Sequence, residues 1–249
     1  MTTMERVTIR RVAGVDGCRA GWLIASSQVD NGGATSRPEL RVVPTFDGVI
    51  DLGLDRIAVD IPIGLLDVLA AGGREADRAA RKLLGPLRGT SVFSAPVRQV
   101  LLADPWPATM PGNLGLTLQA WAITRKIREV DDALRTRRDR PPGLIVIETH
   151  PEVVFFDLNG ERPVELPKRR SAGKEARRAL LERVGLWWPD LIPPAGAKAD
   201  DLLDALACLW VAAAPVELLQ PLPVTTPALH DSHGMPMQIW RRTSHGEPT

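Results

Sequence analysis

Asp16, Asp60 and Glu148 each end a short apolar run, in Val12-Ala13-Gly14-Val15-Asp16, Ile57-Ala58-Val59-Asp60 and Leu144-Ile145-Val146-Ile147-Glu148. Asp201 and Asp204 open a helical run that is apolar on nearly every side past its first turn, and their spacing puts them on one face. Taken singly, most of these acids have an ordinary explanation. Asp16-Gly17 is a hairpin signal, Asp200 is a natural N-cap, and Asp201 suits the dipole of the first turn. Capping accounts less well for Asp204, and three apolar strands that each finish in one acid are hard to explain as three separate turns. A carboxylate at the end of a buried strand is costly unless something pairs with it. Gathered into one pocket, Asp16, Asp60, Glu148, Asp201 and Asp204 would repel strongly, and hard divalent ions with oxygen ligands resolve that repulsion. Mg²⁺ or Mn²⁺ is the expected cofactor. Two ions about 3.5–4 Å apart can activate a water and stabilise a leaving oxygen, so the reaction class is metal-assisted phosphodiester hydrolysis and the expected partner is nucleic acid.

The elements that must position these acids come in a telling order. Strands around Val12–Val15, Trp22–Ser26 and Leu40–Val43 read as an antiparallel meander, with a loop at Asp30-Asn31-Gly32-Gly33. Thr45–Leu54 reads as a short helix capped by Thr45, and Ile57–Asp60 as a strand stopped by Pro62 and Gly64. A β-β-β-α-β order, with strand four parallel to strand one, predicts an α/β, ribonuclease H-like fold: a mixed five-stranded sheet flanked by helices. That topology sets Asp16 and Asp60 side by side at the carboxyl ends of adjacent strands. The length of 249 residues suits one large domain, with a core over roughly 7–62 and 143–214, a helical insertion over roughly 65–140 and a tail over 215–249. Helices are expected at Glu75–Leu84, ended by Gly85-Pro86, at Leu116–Arg138, at Glu175–Val184 and from Lys198 to Ala212. Met237–Trp240 adds a terminal strand, and Thr243–Thr249 is expected to fray.

Net charge is +1, so no global field dictates a partner. Of the 31 basic residues only Lys82, Lys126, Lys168, Lys174 and Lys198 are lysines, and arginine suits bidentate contact with phosphate or carboxylate. The segment Arg88–Arg98 mixes arginines, hydroxyls and Phe93, which suits either a strand contact or a plain surface connection; Arg19, Arg88, Ser91, Arg98 and Lys198 are the candidate substrate-binding residues. Cys18 and Cys208 are too few for a disulfide scaffold or a structural zinc, and point to a reducing cytoplasm. No run approaches the length of a membrane span and the N-terminus carries no apolar signal core, so a membrane partner is not expected. A homodimer would suit junction cleavage.

The segments Gly14-Val15-Asp16-Gly17-Cys18-Arg19-Ala20-Gly21-Trp22, Val59-Asp60-Ile61-Pro62-Ile63-Gly64-Leu65, Arg88-Gly89-Thr90-Ser91-Val92-Phe93, Glu148-Thr149-His150-Pro151-Glu152 and Asp201-Leu202-Leu203-Asp204-Ala205 together resemble the prokaryotic domain of unknown function 429 family of predicted ribonuclease H-like nucleases. The Asp201–Asp204 helix also resembles the last helix of RuvC-type junction resolvases. The resemblance implies metal ligands at Asp16, Asp60, Asp201 and Asp204. Glu148 matches the family motif without a counterpart in that helix-bearing group, so ligand, base and orienting roles stay open, and His150 is either a group behind the ligands or structural. Two other functions compete with the nuclease: a non-catalytic nucleic-acid-binding protein that keeps the fold, and an actin-like ATPase relative, which normally carries two copies of the fold where this chain has one Asp16-type segment.

Overall fold

The computed structural model describes residues 9–30, 36–101, 118–137 and 139–243, with backbone alone for 118–120. The expectations for Asn31–Gly33, the first residues of the helix at Leu116, Arg138 and the fraying tail past Thr243 lie outside the described residues. The chain forms a mixed α/β sheet with strands β1 (Arg10–Cys18), β2 (Gly21–Val29), β3 (Glu39–Val43), β4 (Arg56–Val59), β5 (Ile145–Glu148), β6 (Leu219–Leu222) and β7 (Ile239–Arg242). Their spatial order is β3-β2-β1-β4-β5-β7-β6. β1, β2 and β3 pair antiparallel, while β1, β4 and β5 run parallel, as the meander and crossover predict. The sheet has seven strands and not five, because the tail returns: β7 pairs parallel with β5 through Glu148 and Ile239, and β6 closes the edge antiparallel to β7.

Alternation sorts the side chains to two faces. Val12, Leu23, Ala25, Ala58 and Ile147 pack under helix α7 (Ala199–Ala212), along with α5 (Pro151–Leu158) and α6 (Ser171–Arg183). Ala13, Val15, Trp22, Ile24, Ile57 and Val59 pack on the other face against α1 (Phe46–Ile50) and α4 (Leu118–Thr136). Between β4 and β5 lie α2 (Glu75–Arg88), a 3₁₀ turn at Gly89–Ser91, α3 (Arg98–Leu101) and α4. Gly85-Pro86 kinks α2 rather than ending it: Gly85 takes φ 64°, which glycine adopts without strain, and helix resumes to Arg88. Thr45 caps α1 as expected, its Oγ1 accepting from the Gly48 amide at 3.2 Å.

Five of the arginines are spent on the fold itself. Arg56, Arg74, Arg98, Arg177 and Arg241 are buried. Arg56 donates to the carbonyls of Ala212 (3.2 Å) and Ala214 (2.6 Å), satisfying the otherwise orphaned C-terminus of α7. Arg177 grips Glu152 with two bonds of 2.7 and 2.8 Å, tying α6 to α5, and Arg241 pairs with Asp157. Among the described residues no helix is long and apolar enough to cross a membrane.

Candidate active site

Asp16 lies inside β1, opposite Leu23, and is not a turn residue; the reversal falls at Arg19-Ala20. Gly14, two residues earlier on the same face, lies against the backbone of α7 at Ala205, Cys208 and Leu209. Asp16 therefore points to the α7 side of the sheet. Gly14 pairs with Ala58, Val15 with Val59, and the Asp60 amide donates to the Val15 carbonyl at 3.1 Å, so Asp60 stands beside Asp16 and on the same face as Ala58. Asp204, 6% exposed on α7, faces the same region.

Asp16 and Asp60 open into a cleft of about 650 Å³, whose walls include Thr90, Ser91, Phe93, Ile123, Lys126, His150, Lys168 and Arg169. Burial, followed by the charges of Asp204 and Asp60, raises the Asp16 carboxyl well above its usual range. Burial and then Asp204 push Asp60 up to about 7. Asp204 is raised by burial too, although the Lys168 ammonium pulls against that shift, with Nζ 2.9 Å from Oδ2. Like charges crowded in a low dielectric disfavour one another's ionised forms, which is the state a cation would relieve.

Glu148 does not join these three. Its partner in the parallel register is Val59, one residue short of Asp60, and that single step turns its side chain to the opposite face. There Arg74 holds it through bonds of 2.6 and 2.8 Å, and the Ile63 amide donates to it at 2.7 Å. Glu148 lines the same cleft, but its carboxylate oxygens are taken by Arg74 and the Ile63 amide, so as it stands it anchors the loop that follows Asp60 and lies apart from the Asp16–Asp60 pair. Asp201 is also committed, accepting from the Lys198 amide at 2.8 Å as a helix cap, and Asp200 pairs with Lys174 at 2.8 Å. Among the described residues no three His, Cys, Asp or Glu side chains are close enough together to hold an ion as they stand.

The motifs predict one family, and a family model described as "Protein of unknown function (DUF429)" matches residues 14–223. The chain belongs to that family. None of the curated proteins matches it. A solved structure titled "Thermus thermophilus RuvC structure" is similar to this DUF429 chain over 81% of its length and 95% of the other's, at 13% identity and a TM-score of 0.30.

Of the candidate substrate residues in this DUF429 protein, Arg88 and Ser91 line the cleft. Arg88 is mostly occupied, donating to the carbonyls of Val164 (2.6 Å) and Glu165 (2.7 Å). Arg98 is buried between Asp131 (2.7 and 2.6 Å) and Asp231, which corrects its assignment to substrate. Arg19 and Lys198 are exposed and off the cleft walls. His150 lines the cleft and caps α5, its Nδ1 accepting from the Glu152 amide at 3.2 Å, and burial lowers its pKa. Sequence reasoning missed Lys168, which sits in an irregular segment before α6 with no periodicity to mark it. It also missed Lys126, whose ammonium donates to the Gly21 carbonyl at 2.5 Å and lies 4.2 Å from the Trp22 ring centroid.

Proposed function

We propose that this chain hydrolyses phosphodiester bonds of a nucleic acid, with Mg²⁺ or Mn²⁺ held by Asp16 and Asp60 and with Asp204 behind them. The observation that carries this reading is the crowding of like charges: Asp16 on β1 and Asp60 at the end of β4 stand side by side at the cleft, and the charge of Asp204 on α7 raises the pKa of both. Such an arrangement costs stability, and the fold does not need it.

The residues fit a hard divalent ion. The donors are oxygens alone, Asp16 and Asp60 stand side by side on one face, and the Asp60 side chain has no hydrogen bond among the described residues. When bound, the ion supplies a Lewis acid for a phosphoryl oxygen and a more acidic water. The chain's own groups do the rest. Thr90, Ser91 and Arg169 offer donors to phosphate oxygens along the cleft, and Phe93 and Ile123 offer apolar surface to a sugar or base. The Lys168 ammonium favours the ionised form of Asp204 against the larger effect of burial.

The test is a panel of single- and double-stranded DNA and RNA incubated with Mn²⁺. Asp16→Asn and Asp204→Asn are each expected to lower turnover by about a hundredfold or more. Equal cleavage by wild type and both variants sinks the reading. A second reading, nucleic-acid binding without turnover, is favoured by the Lys168–Asp204 pair, which already neutralises one acid. It expects binding that weakens steeply with salt and no Mn²⁺-dependent product.

A further inference from the structure

The acids around the cleft are not equally available, and this bears on how many ions the proposed site takes. Glu148 and Asp77 are paired with Arg74, Glu152 with Arg177 and Asp200 with Lys174, while Asp201 caps its own helix. What remains is Asp16, Asp60 and Asp204. Of these, Asp204 carries the Lys168 ammonium at 2.9 Å. Lys168 also lines the cleft, and its charge acts on Asp16 and Asp60 as well. Lys126, whose charge also reaches Asp16, is held at the Gly21 carbonyl and the Trp22 ring; within the group of Asp16, Asp60, Asp204 and Lys168, three negative charges and one positive leave two to be neutralised, which one divalent ion does.

We infer that the Lys168 ammonium occupies one of the two cation positions of this carboxylate cluster, so that the chain binds a single divalent ion at Asp16 and Asp60 and uses Lys168 as its built-in second cation at Asp204. This rests on the proposed ion site and departs from the two ions expected from sequence. A lysine suits the part because it is a compact point charge on a flexible stem, where an arginine would present a wide planar fork. Its side chain is 44% exposed while its partner is buried, so the lysine reaches in from the rim and needs no buried cavity of its own. A second ion at Asp204 would have to displace it against that ion pair.

The experiment is a Mn²⁺ titration of the full chain, without nucleic acid, with free Mn²⁺ read by electron paramagnetic resonance. Wild type is expected to saturate at one ion per chain, Lys168→Arg also at one, and Lys168→Met at two, because Asp204 is then free to hold the second. Asp16→Asn, with Lys168 intact, is expected to lose the wild-type ion. Circular dichroism confirms that each variant is folded, and the wild-type count stands without any variant. Two ions on the wild type overturn the inference and leave the proposed function intact, as does a folded Lys168→Met that stays at one. No ion on wild type, on Lys168→Arg or on Lys168→Met overturns the inference and the proposed ion site together.

Discussion

A Cβ placed on Gly14 would lie 2.0 Å from the backbone nitrogen of Leu209, so α7 rests on β1 with no side chain between them. This contact sets how near Asp204 comes to Asp16. The carbonyl oxygen of Ala205 is equally close at 2.0 Å and the carbonyl carbon of Cys208 lies at 2.7 Å, and backbone in the middle of a buried helix has nowhere to yield. Gly14→Ala is therefore expected to push α7 off the sheet and to cost about 3 kcal/mol. Urea denaturation checks it. A variant as stable as wild type would mean that α7 does not seat on β1 at Gly14.

Asp60 gives the protein a pH dependence of unusual sign. Its pKa is raised from 3.8 to about 7, by burial first and then by Asp204, so the folded state holds this proton more tightly than the unfolded chain does. The stabilising share of this group is complete below its unfolded pKa and is lost as pH rises towards about 7. Above that, the ionised carboxylate is a standing cost. Asp60→Asn is expected to leave the melting temperature almost unchanged near pH 4 and to raise it by several degrees near pH 8, in chelator-treated protein. A shift of equal size at both pH values would rule out the titration of Asp60 as its source. Added Mn²⁺ is expected to narrow or reverse the difference at pH 8, since an ion that binds the carboxylate stabilises wild type alone.

Much of this arrangement can be read from the chain, and the failures have physical causes. The apolar runs give β1, β4 and β5, and the crossover rule puts Asp16 beside Asp60. The weak case for Asp204 as a cap correctly marks it as different from Asp200 and Asp201. Glu148 misleads because composition cannot set register: one step along β5 separates a residue beside Asp60 from one on the opposite face, and Thr149 takes the aligned position, its amide donating to the Val59 carbonyl at 3.0 Å. The arginine excess misleads because burial depends on partners far away in sequence, as Arg74 meets Glu148 and Arg98 meets Asp131. β6 is hidden by Pro221, which reads as a strand breaker but is tolerated at the sheet edge.

The Arg74–Glu148 pair yields a prediction that separates structural support from chemistry. Arg74 is 1% exposed and bridges Glu148, Asp77 and the carbonyls of Ile63 (2.8 Å) and Gly64 (3.1 Å), so it joins β5, α2 and the loop after Asp60. Burial pushes the Glu148 carboxyl up, and Arg74 is the main force pulling it back. Removing one partner strands the other's charge in the interior, so Arg74→Met alone is expected to cost roughly 3–5 kcal/mol. Glu148→Gln keeps the shape and still accepts from the Ile63 amide, but leaves the Arg74 charge half-answered by Asp77. The Arg74→Met, Glu148→Gln double variant is expected to be more stable than Arg74→Met, because the buried carboxylate is gone. A denaturation cycle over the four proteins measures this. Strict additivity would mean that the two side chains are not coupled. In any variant that stays folded, Mn²⁺ affinity should change little, since Glu148, although it lines the cleft, spends its oxygens on Arg74 and the Ile63 amide; loss of the ion in a folded Glu148→Gln would make Glu148 a ligand.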